Sequence, residues 1–390
     1  MQVSSERILT THIGSLPQPG ELHARLEAAG GPATTRELDE EIVRAVKASV
    51  RQQAGVGLTV VNDGEQSKSN WAGYVHDRLN GLSGENLPRP GPREALDFPD
   101  YYRSQGSSAA AVYRPACNGP LSWKDFSAVE NDIANLKAAS AGVEVRDVFM
   151  SSSSPGNVSN FHPNRYYPSE EQYLQAIADV MQREYEAVAA AGIVLQLDCP
   201  DLAIQTHYFP DATDEEFRKI VAVRIEALNY ATRNIAPESM RIHICWGRAE
   251  SARIYDQPLK NLVDLYLTAR PQGLSVVGCN GRHEYEWRVW QEVKLPDDKV
   301  LIPGVIDNTS GIIEHPETVA ERITRYGDVV GRERVIASVN CGFGNVVSSE
   351  LRDERVVWAK LKALADGAAV ATEKLWGRTP RSRHSKARRD

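Results

Sequence analysis

Thiol and imidazole side chains stand at the ends of several short apolar segments of the sequence. His243 and Cys245 close the segment 241–247, and they project together because side chains two apart on a strand share a face. Cys279 and Cys341 also close short apolar runs. Nitrogen and sulfur donors gathered at strand ends suit a tetrahedral Zn²⁺ site. The pattern predicts a metal site built from these four residues, although a single buried cysteine is more often an ordinary core residue.

The composition limits the class of protein. The chain has 390 residues, of which 42% are hydrophobic and 25% are charged, with a formal net charge of −7. This is typical of a globular protein with a large core, and the acidic balance argues against nucleic acid as a partner. The 5 cysteines are spread along the chain, which favours reduced thiols and a cytoplasmic location over a disulfide framework. We expect no signal peptide and no membrane span.

Short apolar segments alternate with helical patterns along the chain. The segments are 8–15, 58–65, 148–151, 193–198, 241–247, 274–277, 300–307 and 335–339. The alternation indicates parallel strands joined by helical crossovers, and eight such units close into a (β/α)8 barrel. A doubly wound open sheet is the alternative, but no glycine-rich dinucleotide loop follows the first strand.

The sequence therefore predicts an α/β fold, a (β/α)8 TIM barrel in a single domain over residues 1–375. An insertion at about 75–145, after the second strand, is expected where the pattern loosens and Pro, Gly and Arg become frequent. Residues 376–390 form a basic tail that we expect to be disordered.

Polar side chains recur at the C-terminal ends of the predicted strands, where barrel enzymes carry their chemistry. Ser15, Glu65, Asp198 and Asp307 join the thiols there. A metal held by thiolates and imidazole can bind a substrate thiol and keep it nucleophilic at neutral pH for attack on an alkyl carbon. Glu65 and Asp198 would then hold a cationic amino group. The ordinary alternatives are a carboxylate satisfied by a neighbour for Glu65 and a helix cap for Asp198.

Six motifs in order resemble the catalytic half of cobalamin-independent methionine synthase and, more closely, its single-domain bacterial relatives. The motifs are TTHIGSLP at 10–17, NDGEQSK at 62–68, QLDCPDL at 196–202, HICWG at 243–247, PGVID at 303–307 and NCGFG at 340–344. The resemblance covers about 10–371, and the related epoxyalkane:coenzyme M transferase is similar in design. It implies a TIM barrel, a catalytic zinc and alkyl transfer to a thiol.

The resemblance also implies roles for individual residues. By it, His243, Cys245 and Cys341 are zinc ligands, and the positions that hold the amino-acid substrate match Ile13, Ser15, Glu65 and Asp198. We assign catalytic roles to Asp307, Glu65 and Asp198. Trp246 is placed in the substrate pocket, although an aromatic side chain is as readily part of the core.

Two positions depart from the pattern of this family. Family members carry a zinc-ligating glutamate where this chain has Val277. Cys279, two residues further with the same strand parity, either replaces that glutamate or is no ligand, in which case zinc is weak or absent. Methionine synthase has a histidine after the aspartate of the seventh strand, whereas Asn308 follows Asp307 here. Homocysteine and folate therefore stay open as substrates.

The function predicted from these residues is a zinc-dependent methyl or alkyl transfer that forms or breaks a thioether at a substrate sulfur. The alternatives are a divergent enzyme that alkylates nitrogen or carbon or acts as a lyase, and a non-catalytic barrel that binds a thiol or amino acid. The expected partners are a small thiol or amino acid and a methyl or alkyl donor, with no nucleic acid and no membrane. A homo-oligomer is compatible with the sequence, which does not fix the oligomeric state.

Overall fold

A computed structural model describes residues 1–29, 35–104, 114–247, 251–345 and 353–377. Apart from Trp376 and Gly377, the predicted basic tail lies outside these residues. The division into one domain and a tail stays a prediction.

The described residues form one 8-stranded sheet and a small antiparallel pair. The strands are β1 (Leu9–Thr10), β2 (Val60–Val61), β3 (Leu79–Asn80), β4 (Ser122–Trp123), β5 (Asp147–Ser153), β6 (Val194–Asp198), β7 (Met240–Ile244), β8 (Gly273–Val276), β9 (Val300–Ile306) and β10 (Ile336–Val339). The large sheet is parallel throughout, in the order β1-β10-β9-β8-β7-β6-β5-β2. Parallel pairing needs long crossovers, which the helices between the strands supply.

The two edge strands of this sheet meet through Thr10 and Thr59. The Thr59 backbone N–H donates to the Thr10 carbonyl at 3.2 Å, and the Thr10 N–H donates to Thr59 Oγ1 at 2.7 Å. These contacts bring the ends of the sheet together, so the predicted (β/α)8 barrel is confirmed and the open doubly wound sheet is not the fold.

Helices surround the barrel and follow most of its strands. They are α1 (Gly20–Ala29), α2 (Arg36–Gly55), α3 (Tyr74–Arg78), α4 (Glu94–Asp97), α5 (Pro99–Ser104), α6 (Ser127–Ser140), α7 (Pro155–Phe161), α8 (Glu170–Ala190), α9 (Gln205–Tyr208), α10 (Asp214–Ala231), α11 (Val263–Tyr266), α12 (Val289–Glu292), α13 (Pro316–Val330) and α14 (Glu354–Trp376). The helix α10 begins with a capping box, in which Thr213 and Glu216 satisfy each other's backbone N–H groups. No helix among the described residues is both long and apolar enough to cross a bilayer.

The described part of the chain between β2 and β5 contacts the segment that follows β7. It contains α3 to α6 and the pair β3–β4. The buried Glu94 accepts hydrogen bonds at 3.1 Å from the backbone N–H groups of both Ile254 and Tyr255, and the Tyr102 hydroxyl donates to the Ala252 carbonyl at 2.7 Å. These hydrogen bonds therefore hold the region against the segment that follows β7.

Candidate active site

His243, Cys245 and Cys341 meet at the C-terminal mouth of the barrel. One ligand atom from each lies within 4.8 Å of the others, and the two Sγ atoms are 3.3 Å apart. His243 lies on β7 and Cys245 directly follows that strand, while Cys341 follows β10. His243 and Cys245 are buried, whereas Cys341 is partly exposed. The cluster is thus enclosed on the barrel side and accessible at one thiol.

The atoms of this cluster are arranged to receive a cation. Ser275 on β8 lies 3.3 Å from His243 Nδ1, whereas Nε2 is buried and has no hydrogen-bond partner among the described residues. A hydrogen bond to Cys341 and burial together raise the pKa of the Cys245 thiol well above its ordinary value. Burying a ring nitrogen without a hydrogen-bond partner beside two thiols costs folding free energy. A metal ion bound to the nitrogen and both sulfur atoms would offset that cost.

Cys279 is not brought together with the other three predicted ligands. Its thiol lies 3.3 Å from Asn340 Oδ1, which also accepts a hydrogen bond from the Gly278 N–H at 3.1 Å. The strand β8 ends at Val276, so the strand parity on which the prediction relied no longer holds at residue 279. Among the described residues, the metal-capable cluster consists of one imidazole and two thiols.

Two buried carboxyl groups, Glu65 and Asp198, lie beside the thiol cluster. Burial and the nearby charges of Glu65 and Cys341 raise the pKa of Asp198 well above its ordinary value. Asp198 accepts a hydrogen bond from Gln196 Nε2 at 2.8 Å, and Glu65 Oε1 accepts one from the Ser151 hydroxyl. Glu65 Oε2 is buried without a partner among the described residues. A cationic group between the two carboxylates would relieve their repulsion and satisfy this oxygen.

Glu65 is held in an unusual backbone conformation. Its φ of 57° makes it the one non-glycine residue with positive φ in the described part of the chain. The turn is closed by Asn62 Oδ1, which accepts from the Gly64 N–H at 2.8 Å, and by Asp63 Oδ1, which accepts from the Glu65 N–H at 3.0 Å. Such strained residues concentrate at functional sites, where the surrounding structure determines them.

The turn containing Ile13 and Ser15 joins the two halves of the site. The Ile13 carbonyl accepts a hydrogen bond from Gln196 Nε2, the same amide that contacts Asp198. The Ser15 carbonyl accepts from the Phe343 N–H at 3.1 Å, and its hydroxyl accepts from the Gly344 N–H at 3.3 Å. The turn therefore lies between the carboxylates and the loop that carries Cys341.

The side chains of the two remaining predicted residues contact groups outside the thiol cluster. Trp246 is buried and stacks on His283, with ring centroids 4.3 Å apart. The Asp307 carboxylate accepts hydrogen bonds from the Thr309 N–H at 3.1 Å and the Thr309 hydroxyl at 2.9 Å. Asp307 thus closes the turn after β9, and its catalytic role stays a prediction.

A polar network centred on Arg241 lies inside the barrel and was not among the predicted site residues. This fully buried guanidinium donates to Gln196 Oε1 at 2.8 Å, to Thr11 Oγ1 at 3.0 Å and to the His12 carbonyl at 2.9 Å. Gln196 then contacts Asp198. A signal was present, because Arg241 shares strand parity with His243, as Gln196 does with Asp198.

No family model matches the chain. The chain is similar to a methionine synthase from Thermococcus kodakarensis, with 22% identity over 370 residues that cover 94% of each protein. It is similar also to 2-hydroxypropyl-CoM lyase from Xanthobacter autotrophicus, with 24% identity over 401 residues that cover 94% of this chain and 96% of that protein.

A solved structure shows the same fold. It is a B12-independent methionine synthase from a Shewanella species in complex with selenomethionine, with a TM-score of 0.73 and 22% identity, covering 95% of this chain and 100% of the other. The resemblance to cobalamin-independent methionine synthases and their relatives, predicted from six motifs, is therefore confirmed and extends over nearly the whole chain.

Proposed function

We propose that this chain is a zinc-dependent methyl or alkyl transferase that forms or breaks a thioether at a substrate sulfur. One observation carries the proposal. The donor atoms of His243, Cys245 and Cys341 lie within 4.8 Å of one another, next to the buried carboxyl pair of Glu65 and Asp198. A sulfur-activating centre and an ammonium-binding pair at one barrel mouth suit a substrate that carries both a thiol and an amine.

The residues present fit a zinc ion. One imidazole nitrogen and two thiolates are ligands of the borderline-soft kind that Zn²⁺ prefers, and three protein ligands leave a position for substrate. His243 Nε2 would be one ligand, because Ser275 contacts the other ring nitrogen. When bound, zinc would lower the pKa of a substrate thiol so that it is nucleophilic at neutral pH.

The chain's own residues bind and orient the substrate. The carboxylates of Glu65 and Asp198 would hold its ammonium group, with Ser151 and Gln196 fixing their orientation. The turn at 13–15 lies between these carboxylates and Cys341, and would receive the substrate carboxylate through its backbone N–H groups. Burial of the carboxylates at the mouth keeps water from competing for them.

The relatives support this class of substrate. Two of the similar proteins are methionine synthases, and one of these was solved with selenomethionine. The relative named 2-hydroxypropyl-CoM lyase supports chemistry that extends beyond methyl groups. The departures at Val277 and Asn308 leave the acceptor and the alkyl donor open. We place the protein in the cytoplasm, because cysteines that form no disulfide among the described residues need a reducing compartment.

Metal analysis tests the zinc centre first. We expect about one zinc per chain in the wild-type protein and its loss in Cys245→Ser and Cys341→Ser. Cys279→Ser is the matched control, because Cys279 is a buried thiol outside the cluster, and it should keep its zinc. A wild-type protein that cannot be charged with zinc under reducing conditions would contradict the proposal.

A second assay tests the transfer itself. Homocysteine and other amino thiols are incubated with methyl and alkyl donors, and thioether products are followed by mass spectrometry. Product that requires both the zinc and the thiol supports the transferase. Tight binding of an amino thiol without turnover with any donor would favour the non-catalytic binding barrel instead.

A further inference from the structure

Two arginines lie over one aromatic ring at the barrel mouth. The guanidinium carbons of Arg89 and Arg114 are 5.3 and 5.8 Å from the centroid of the Tyr208 ring. Both arginines belong to the region between β2 and β5, whereas Tyr208 ends α9 after β6. The two cations and the ring that they contact therefore come from separate parts of the fold.

Neither arginine forms an ion pair within the part of the chain that the structure describes. Among the described residues, the guanidinium of the buried Arg114 donates to two backbone carbonyls, those of Asn160 at 3.0 Å and Pro88 at 2.9 Å. The Nε of Arg89 is buried and has no acceptor among the described residues. A guanidinium withdrawn from water normally has a carboxylate or phosphate partner, so this pair has unused capacity for an anion.

Neighbouring arginines of the same mouth are neutralised, which sets this pair apart. Arg224 lies 3.6 Å from the Asp201 carboxylate, and Arg253 lies 2.7 Å from that of Asp256. Burial and the charge of Arg89 lower the pKa of Arg114, and the neighbouring His207 has a pKa lowered to about 3 by burial, Arg89 and Arg253. The surroundings of Arg89 and Arg114 therefore carry an excess of positive charge.

The pair is connected to the strands that carry the active site. Asn160, whose carbonyl accepts from Arg114, also accepts from Arg224 at 2.7 Å, and Arg224 donates to the carbonyl of Asp201, three residues after Asp198. Through Asn160 and Arg224, the arginine pair is therefore connected to the loop that follows β6.

We propose that Arg89 and Arg114 form a subsite for an oxyanion, a phosphonate, phosphate, sulfonate or carboxylate group, carried by the second substrate. This inference rests on the proposed function, in which Glu65, Asp198 and the turn at 13–15 hold the charged groups of the amino thiol. The oxyanion then belongs to the alkyl partner. Two guanidinium groups offer several N–H donors to one oxyanion. Both groups also lie over the Tyr208 ring.

Binding of methylphosphonate to the whole protein, followed by phosphorus NMR line broadening, tests the subsite without turnover. We expect saturable binding in the wild type and a dissociation constant at least about fivefold higher in Arg89→Gln and in Arg114→Gln. Arg233→Gln is the matched control, because Arg233 also stacks on a tyrosine, 3.9 Å from the Tyr230 centroid, and donates to a carbonyl. Arg233 follows α10 at the opposite end of the barrel, so this variant should bind as the wild type does.

Competition identifies the oxyanion. Methanesulfonate, sulfate and acetate are added to the methylphosphonate complex, and the strongest competitor gives the class of group that the second substrate carries. Because Arg89 is only half-buried, Arg89→Gln should fold. If the melting curve of Arg114→Gln shows that this variant does not fold, the binding of Arg89→Gln decides the test. Failure of the wild type to bind methylphosphonate, or equal binding by the wild type and Arg89→Gln, would overturn the inference.

The outcome is separable from that of the proposed function. Cys245→Ser should lose zinc yet keep its affinity for methylphosphonate, because the described contacts of the two arginines are with Asn160, Pro88 and Tyr208 and not with the thiol cluster. Loss of phosphonate binding in Cys245→Ser would show that the anion binds at the metal and would overturn the subsite. Absence of zinc in the wild type with phosphonate binding intact would count against the proposed function alone.

Discussion

Glu65 approaches Gly14 so closely that a β-carbon on residue 14 would lie 2.7 Å from Glu65 Oε1. Gly14 also has a φ of 142°, a conformation that other residues rarely adopt. The missing side chain at Gly14 therefore makes room for the carboxylate that is proposed to bind the substrate ammonium. The turn at 13–15 and the strained turn at Glu65 depend on each other.

Gly14→Ala should weaken substrate binding more than it affects the metal. The new methyl group displaces the Glu65 carboxylate, and the backbone strain adds about 1–3 kcal/mol of destabilisation. We expect at least a roughly tenfold higher dissociation constant for an amino thiol, with zinc content unchanged. Calorimetric titration and metal analysis measure the two effects. In the control Gly20→Ala, where a β-carbon meets no atom within 4 Å, affinity should stay at the wild-type value.

Arg241→Lys should separate substrate positioning from turnover. A lysine ammonium cannot span the three acceptors that Arg241 reaches on Gln196, Thr11 and His12. Gln196 then loses the partner that fixes its contact with Asp198. We expect a loss of about 2–3 kcal/mol in unfolding free energy and a rise in KM for the amino thiol that exceeds the fall in kcat. A folded variant with wild-type KM would contradict this role for Arg241.

The barrel and the meeting of His243, Cys245 and Cys341 could be predicted from where the strands end, whereas their role as metal ligands stays a prediction. His243, Cys245 and Cys341 occur where parallel strands end, and the closed sheet brings such ends to one rim. Cys279 shows where the reasoning fails, because it lies three residues beyond the end of β8. Past the last strand residue, the chain direction is set by contacts such as that of Asn340 with the Gly278 N–H, which sequence does not display.

The arginine subsite could not be predicted from the sequence for a different reason. Arg89 and Arg114 lie outside the helices and strands, and Tyr208 ends the one-turn helix α9, so nothing in the spacing of these residues indicates contact. Arg241 was predictable in principle, since a charged residue two before His243 on a buried strand must face the barrel interior. Its partners depend on register, which only the folded sheet provides.

His12 should make the protein sensitive to acid. Burial lowers the pKa of His12 to about 3, and its Nε2 lies 2.8 Å from Gln53 Oε1. Below the ordinary histidine pKa, His12 binds a proton in the unfolded chain but stays neutral in the folded chain. The unfolding free energy therefore falls as pH falls from about 6.5 towards about 3. Over pH 6.5 to 4 this amounts to about 3 kcal/mol.

His12→Gln removes this contribution and should flatten the fall in unfolding free energy between about pH 6.5 and 4. Denaturant titrations at a series of pH values measure it. Burial also lowers the pKa of His162 to about 3, so part of the dependence of unfolding free energy on pH should remain in the His12→Gln variant. A slope that is equally steep in His12→Gln would be evidence against a buried neutral His12.

Gly304→Ala should weaken zinc binding by displacing Asn340, which follows β10. A β-carbon on Gly304 would lie 2.4 Å from Asn340 Oδ1 and 2.6 Å from Asn340 Cα, so the backbone that leads directly into Cys341 must move. Because metal affinity depends on the relative placement of all ligands, we expect zinc to bind at least roughly tenfold more weakly, measured by competition with a chelating dye. Gly281→Ala is the control, since a β-carbon there meets nothing within 4 Å. Equal zinc affinity in the two variants would mean that Cys341 is not held in place by the packing of Asn340 on β9.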